Sequence, residues 1–202
     1  AANGSKTTVM RWNGSAWNTI GPPGISAGEA RYQSLALDAS DNPVVAYRDV
    51  ANGNKTTVMR WNGSAWNIVG APGIGLGEAA YQSLALTSSG NPVVAYSDGG
   101  SGNKTTVMRW SGSAWSSVGT PGMSANFAQY QSLALDASDN PVVAYWDGGF
   151  GGKTTVKRWN GSAWSTVGTS GFGIGWAFNQ TLALMTNGNP VVAYRDYDNG
   201  EK

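Results

Sequence analysis

The sequence predicts an all-β fold, a β-propeller of four four-stranded blades, and three observations carry that prediction. The stretch KTTVMRWNGSAW begins at Lys6, returns unchanged at Lys55, and recurs with one substitution each at Lys104 and Lys153, always 49 residues on. A fixed period near 50 residues marks a propeller, solenoid or array. Each period holds four short β-rich runs punctuated by Gly, Asn, Asp and Pro, and no apolar pattern sustains a helical 3.6 period. A β-helix rung would be shorter than this unit. The spacing reads as four whole repeats after a lead of five residues, and Lys202 falls one further period on.

Taken in chain order, Thr7 to Trp12 (TTVMRW) is the first run, rich in β-branched residues suited to a pleated surface. Asn13-Gly14 follows, and Asn-Gly between two such runs predicts a type I′ hairpin turn, since both residues tolerate positive φ. Ala16 to Ile20 (AWNTI) is the returning strand. After a glycine- and proline-rich link comes Tyr32 to Asp38 (YQSLALD), a short apolar run. The turn ASDN leads to Pro43 to Asp49 (PVVAYRD), where Pro stands as first strand residue, a place that needs no N–H donor.

ALDASDNPVVAYRD, and more closely SSGNPVVAYSD at Ser88 to Asp98, resembles the strand–turn–strand core of bacterial β-propeller repeats, including the NHL type. The likeness runs through every repeat, although Thr87 and Met185 replace Asp38 and Asp136, and Asp41 and Asp139 stand where the other repeats have Gly. Trp146-Asp147 makes no WD40 signature without a Gly-His partner, and no complete sialidase Asp-box is present. The resemblance implies that YQSLALD is the innermost strand and AWNTI the outermost. Small Ala36 and Ala46 suit a crowded axis, and Trp12 and Trp17 suit the wide outer part of a wedge. The chain then starts at the third strand of a blade and stops after the second. The domain over residues 1–202, a propeller or half-propeller, is expected to close by pairing Lys6–Ile20 with Leu182–Asp196, in the same chain or in a second one, because an unpaired edge invites aggregation. A homodimer of eight blades is favoured over a four-bladed ring, whose wedges would have to be unusually wide.

Composition narrows the chemistry. Charged residues are 12% of 202, the net charge is +1, and no run of Lys or Arg offers nucleic acid or an anionic membrane a footing. Cys and His are absent, which removes thiol nucleophiles, Ser-His-Asp triads, zinc fingers and disulfide frameworks. No segment has the roughly 18 apolar residues of a membrane span, and no leader is visible at Ala1, as in a mature or processed chain. Low charge with Trp-, Gly- and Asn-rich hairpins points to a bacterial exported protein, extracellular or periplasmic.

Comparing the repeats with one another locates the expected site. The strands and the turns ASDNP and NGSA hardly vary. Divergence falls in the loop before the inner strand (ISAGEAR, IGLGEAA, MSANFAQ, FGIGWAF) and in the link after the second strand (RDVANGN, SDGGSGN, WDGGFGG, RDYDNGE). Up-and-down connectivity puts both variable segments on one face, and loops on a rigid scaffold are where binding concentrates. The candidate ligand residues are Glu29, Arg31 and Arg48 from repeat one, Glu78 from repeat two, Phe127, Trp146 and Phe150 from repeat three, and Trp176, Phe178 and Arg195 from repeat four. Aromatic faces beside hydrogen-bonding groups suit sugar rings, and the competing expectation, the favoured one, is that these aromatics pack between neighbouring blades or fill the central channel.

Asp49, Asp98, Asp147 and Asp196 recur at one position. A Ca²⁺-binding ring of carboxylates is one reading, and an Asx-type cap on the following turn is the favoured one. Asn13, Asn62 and Asn160 open Asn-Gly-Ser sequons that hairpin turns already explain, and Asn54 and Asn103 open two more. Arg11, Arg60, Arg109 and Arg158 are expected to pair with carboxylates or lie over Trp. Glu29 and Glu78 occupy equivalent places in different blades, which speaks for loop structure rather than a catalytic acid–base pair. The expectation is a non-catalytic, lectin-like propeller without metal or cofactor, taking a carbohydrate or cell-surface ligand. The alternatives are a structural or self-assembling repeat scaffold, engineered or excised from a longer propeller, and a glycosidase-type enzyme.

Overall fold

The computed structural model describes residues 3–199, so Lys202 lies outside the described residues. The chain opens with a two-stranded hairpin, β1 (Met10–Trp12) and β2 (Trp17–Thr19). Three complete antiparallel blades follow. They are β3 (Ala30–Leu37), β4 (Pro43–Asp49), β5 (Lys55–Trp61) and β6 (Trp66–Ile68); β7 (Ala79–Leu86), β8 (Pro92–Asp98), β9 (Lys104–Trp110) and β10 (Trp115–Ser117); and β11 (Ala128–Leu135), β12 (Pro141–Asp147), β13 (Lys153–Trp159) and β14 (Trp164–Thr166). The pair β15 (Ala177–Leu184) and β16 (Pro190–Asp196) ends the arc. The fold is thus the expected all-β propeller architecture, beginning with the outer half of one blade and stopping after the inner half of another.

The second strand of each blade explains why its sequence is continuously apolar. Val44, Val45, Ala46 and Tyr47 are all buried, and so are their equivalents Val93–Tyr96 and Val142–Tyr145. A strand covered on both faces has no solvent side on which to alternate. The cores lie between blades: Val44, Ala46 and Val58 of one blade meet Leu84, Val94 and Tyr96 of the next, and Val93, Ala95 and Val107 meet Leu133, Val143 and Tyr145.

Polar ties repeat at the same interval. The Trp66, Trp115 and Trp164 indole N–H groups donate to the carbonyls of Ile20, Val69 and Val118 at 2.7, 2.7 and 2.8 Å. Each of these indoles also packs on the partner Trp of its own hairpin, with centroids 5.6–5.8 Å apart. This gives the expected outer packing a second role as a clamp between blades. Arg11, Arg60, Arg109 and Arg158 donate to the backbone carbonyls of Asp41, Gly90, Asp139 and Gly188 in the next turn along. The carboxylate pairing expected for these arginines is therefore replaced by a tie to main chain.

Two further expectations change. The Asn-Gly turns are not two-residue type I′ loops: Trp12 pairs with Trp17, and only the glycine, Gly14, has positive φ. Asn13 instead accepts through Oδ1 from the backbone N–H of Ser15 and of Ala16. Ser111 accepts in the same way from Ser113 and Ala114, which is why Asn can be exchanged there. Of the two closures expected, the intrachain one is not made among the described residues, where β1 pairs with β2 alone and β16 with β15 alone.

Candidate functional site

The site follows from how each blade ends its second strand. Asp49 leaves β4 and caps the 3-10 turn Val50–Asn52, accepting from Ala51 N–H, Asn52 Nδ2 and Thr57 Oγ1. Asp98 and Asp147 do the same to Gly100 and Gly149. Asp49, Asp98 and Asp147 are thus turn caps, and among the described residues no cluster of potential ligands for a metal ion is found. Asp98 also accepts from Gly77 N–H at 3.1 Å, so one carboxylate fastens both variable segments of its blade.

A backbone bond completes the frame. The residue after each aspartate donates its N–H to the carbonyl of Glu29, Glu78, Phe127 or Trp176, at 2.7–3.1 Å. These four residues occupy one structural position with a constant backbone contact and a side chain that differs from blade to blade. Cross-strand pairing places the next variable residue opposite the last: Arg31 faces Arg48, Ala80 faces Ser97, Gln129 faces Trp146, and Phe178 faces Arg195. The two variable segments therefore do share one face, and the invariant turns share the other.

Along this face the chemistry changes from charged to aromatic. Arg31 Nε donates to Glu29 at 2.6 Å, an exposed pair. Arg48 reaches to the next blade, with Nη2 3.0 Å from Glu78 Oε2 and Nε 3.1 Å from Asn54 Oδ1. Both glutamates are thus engaged by arginine. Two blades on, the Phe127 and Trp146 rings pack at a tilt of 45° with centroids 5.1 Å apart. Trp176 meets Phe178 at 6.1 Å and Tyr197 at 6.2 Å. Phe150 sits half exposed beside Gly171, where any side chain would collide with it. Phe127 and Trp176 are 40% and 54% exposed and so are not buried between blades, whereas Trp146 and Phe178 are half buried, Phe178 against Tyr130.

The structure adds residues that sequence reasoning passed over. A bulge in each inner strand holds Tyr32, Tyr81, Tyr130 and Asn179 at φ 53–58°. Left-handed backbone is costly for a bulky residue, and here it turns each side chain towards the same axis. Tyr32 lies 5.0 Å from Tyr81, Tyr81 lies 4.7 Å from Tyr130, and Tyr130 lies 5.9 Å from Phe178. The rings from Tyr32 through Tyr130, Phe178 and Trp176 to Tyr197 form one aromatic ladder. It borders a cavity of about 300 Å³ that Gln33, Gln82, Gln131 and Gln180 also line. Burial, with Tyr130 and Tyr32 adjacent, pushes the Tyr81 phenol up to about 12. A signal for the bulge was present in the repeats: the fourth copy carries Asn179, of a residue type enriched in left-handed backbone.

Solved structures of similar shape include SapL1 lectin in complex with α-methyl fucoside, with a TM-score of 0.63 at 16% identity, covering 89% of this chain and 61% of that one. A point mutant of Aleuria aurantia lectin in complex with Fucα1-6GlcNAc has a TM-score of 0.57 at 18% identity, covering 94% and 63%. A thermostable family-43 glycoside hydrolase has a TM-score of 0.53 at 12% identity, covering 96% and 77%. No family model and no curated protein matches the sequence. At these identities the likeness establishes the propeller fold, and the chain spans less than two thirds of either lectin's length.

Proposed function

We propose that this chain is a non-catalytic, carbohydrate-binding propeller that takes its ligand on the variable loop face. The observation that carries the proposal is the exposed aromatic set of blades three and four, Phe127, Trp176 and Tyr197, built on a frame that elsewhere presents Arg48, Asn54 and Glu78. Pyranose rings offer apolar C–H faces to aromatic rings and hydroxyls to guanidinium, amide and carboxylate groups. The bound fucosides of the two lectins of similar fold support a sugar and make fucosides the first probes. Glu29 and Glu78 serve as hydrogen-bonding groups, consistent with their arginine partners, and hydrolysis lost in Glu29→Gln or Glu78→Gln would favour the glycosidase reading instead. An extracellular or periplasmic location belongs to the same proposal.

The test is a glycan array followed by titration of the best hit. Trp176→Ala, at an exposed position, should weaken binding at least tenfold, about 1.4 kcal/mol, with thermal unfolding unchanged. If no glycan binds, the scaffold reading replaces the lectin one.

A further inference from the structure

The two ends of the arc expose side chains that every interior blade buries. Leu35 is 55% exposed, whereas Leu84, Leu133 and Leu182 at the same repeat position are 7–8% exposed. Val191 is 54% exposed, whereas Val44, Val93 and Val142 are at 0%. Ala193 is exposed and its three equivalents are fully buried. Each end lacks what the other carries. The core cluster around Val9, Val45 and Tyr47 contains the third-strand valine of a preceding blade but none of its second-strand residues. A cavity of about 360 Å³ beside Val9, Gln33, Leu35 and Val45 lies open there.

We propose that a second copy of this chain fills that place, its β16 edge pairing with the Lys6–Trp12 segment of the first to complete one four-stranded blade. The register is set by the interior blades, where Asp49 pairs with Lys55, Val45 with Met59 and Val44 with Arg60, and where β8–β9 and β12–β13 repeat it. Asp196 of one copy then faces Lys6 of the other, Val192 faces Met10, and Val191 faces Arg11. Val191 and Ala193 supply the two residues that the open core cluster lacks.

The junction also builds a loop-face site that neither copy holds alone. Arg48 of one blade meets Glu78 of the next at 3.0 Å. Arg195 and Glu29 are their equivalents on either side of the junction. Completion in trans therefore sets Arg195 of one copy beside Glu29 of the other, and the sugar-reading face proposed above gains a further polar cleft. That last step rests on the lectin reading, and the strand pairing does not.

The interface is head-to-tail, so it closes a two-copy ring or propagates. Light scattering of the 202-residue chain should give twice 21.0 kDa or a larger multiple, and a mass of 21.0 kDa up to about 100 µM, well above the micromolar Kd of weak complexes, would overturn the proposal. Ala193→Arg, exposed in the single chain, should return the mass to 21.0 kDa with circular dichroism unchanged. In a chain without native cysteine, Met10→Cys with Val192→Cys should oxidise to a disulfide between chains; a disulfide within one chain would show closure in cis and overturn it. Glu29→Arg and Arg195→Glu should each raise the dissociation constant about three- to tenfold, and the double variant should restore it. An unaltered constant in both would remove the interchain site. A multimer that binds no glycan refutes only the lectin reading, and a glycan-binding monomer only this one.

Discussion

Raising the pH should unfold this protein through its second strands. Tyr47, Tyr96 and Tyr145 are 0–1% exposed, and burial, reinforced by Asp49, Asp98 and Asp147, holds each phenol well above its ordinary value of 10.0. The unfolded chain ionises these groups near pH 10 and the folded chain keeps them neutral. The stability they contribute is present in full below pH 10 and is lost as pH climbs towards their folded values. Once the unfolded phenol is ionised each retained proton costs about 1.4 kcal/mol per pH unit. Between pH 10 and 11, where ionisation of the unfolded chain is completed, the cost is about 1 kcal/mol each, so three cost about 3 kcal/mol over that unit. Set against a typical stability of about 5–15 kcal/mol, that is a fifth or more. Urea midpoints at pH 9, 10 and 11 would give the slope, and absorbance at 295 nm would follow phenolate directly. Tyr96→Phe sharpens the test, because the Tyr96 hydroxyl has no hydrogen-bond partner. Its loss should cost at most about 1 kcal/mol at pH 7 and flatten the alkaline slope by about a third. All eight tyrosines titrating near pH 10 in the folded protein, or an unchanged slope in the variant, would refute the reasoning.

Asp98→Ala leaves the Gly77 and Gly100 N–H groups without their acceptor and should destabilise by about 2–4 kcal/mol in urea unfolding. Gly75→Ala places a methyl 2.3 Å from the Tyr96 hydroxyl at φ +99° and should cost about 3 kcal/mol or more. Gly14→Ala has the same φ with open space around it, so thermal melts should show only the backbone cost of about 1–2 kcal/mol. Trp115→Phe removes the 2.7 Å bond to the Val69 carbonyl and should lower stability by about 1–3 kcal/mol by the same assay.

The repeats made the architecture legible because every blade solves the same packing problem with the same residues. Val44, Val93 and Val142 are buried for one reason, and their recurrence states it three times. The blade phase was readable as well, since Trp12 and Ala36 differ in the space they need. The turn at Asn13 was misread because Asn-Gly serves both a type I′ loop and an Asx-stabilised wider loop, and only the pairing of Trp12 with Trp17 distinguishes them. Arg60 was misassigned because a carbonyl partner leaves no mark on the sequence. The exchange of Gly90 and Gly188 for Asp41 and Asp139 finds its explanation in φ, positive at all four positions. The shared placement of the two variable segments followed from up-and-down connectivity, and their composition drew attention to Trp146 and Trp176. The tyrosine ladder was missed because left-handed φ at Tyr has no compositional signature, and the aromatics expected to fill the central channel were sought in the variable loops, not in the inner strand.

Gly148 and Gly152 carry a consequence for how such a face can change. A methyl on Gly148 would sit 2.6 Å from the Phe127 ring, and one on Gly152 would sit 2.5 Å from Trp146 Nε1. The blade that displays these aromatics has Gly152 where its neighbours have Asn54 and Asn103. Grafting Trp alone at Ser97 would drive the indole into Asn103, whereas Ser97→Trp with Asn103→Gly should be accepted. Novelty on this surface is therefore epistatic: a recognition tryptophan is accepted only where the permissive glycine already stands, so a scan of single substitutions would score Ser97→Trp as harmful and Asn103→Gly, at φ +57°, as tolerated.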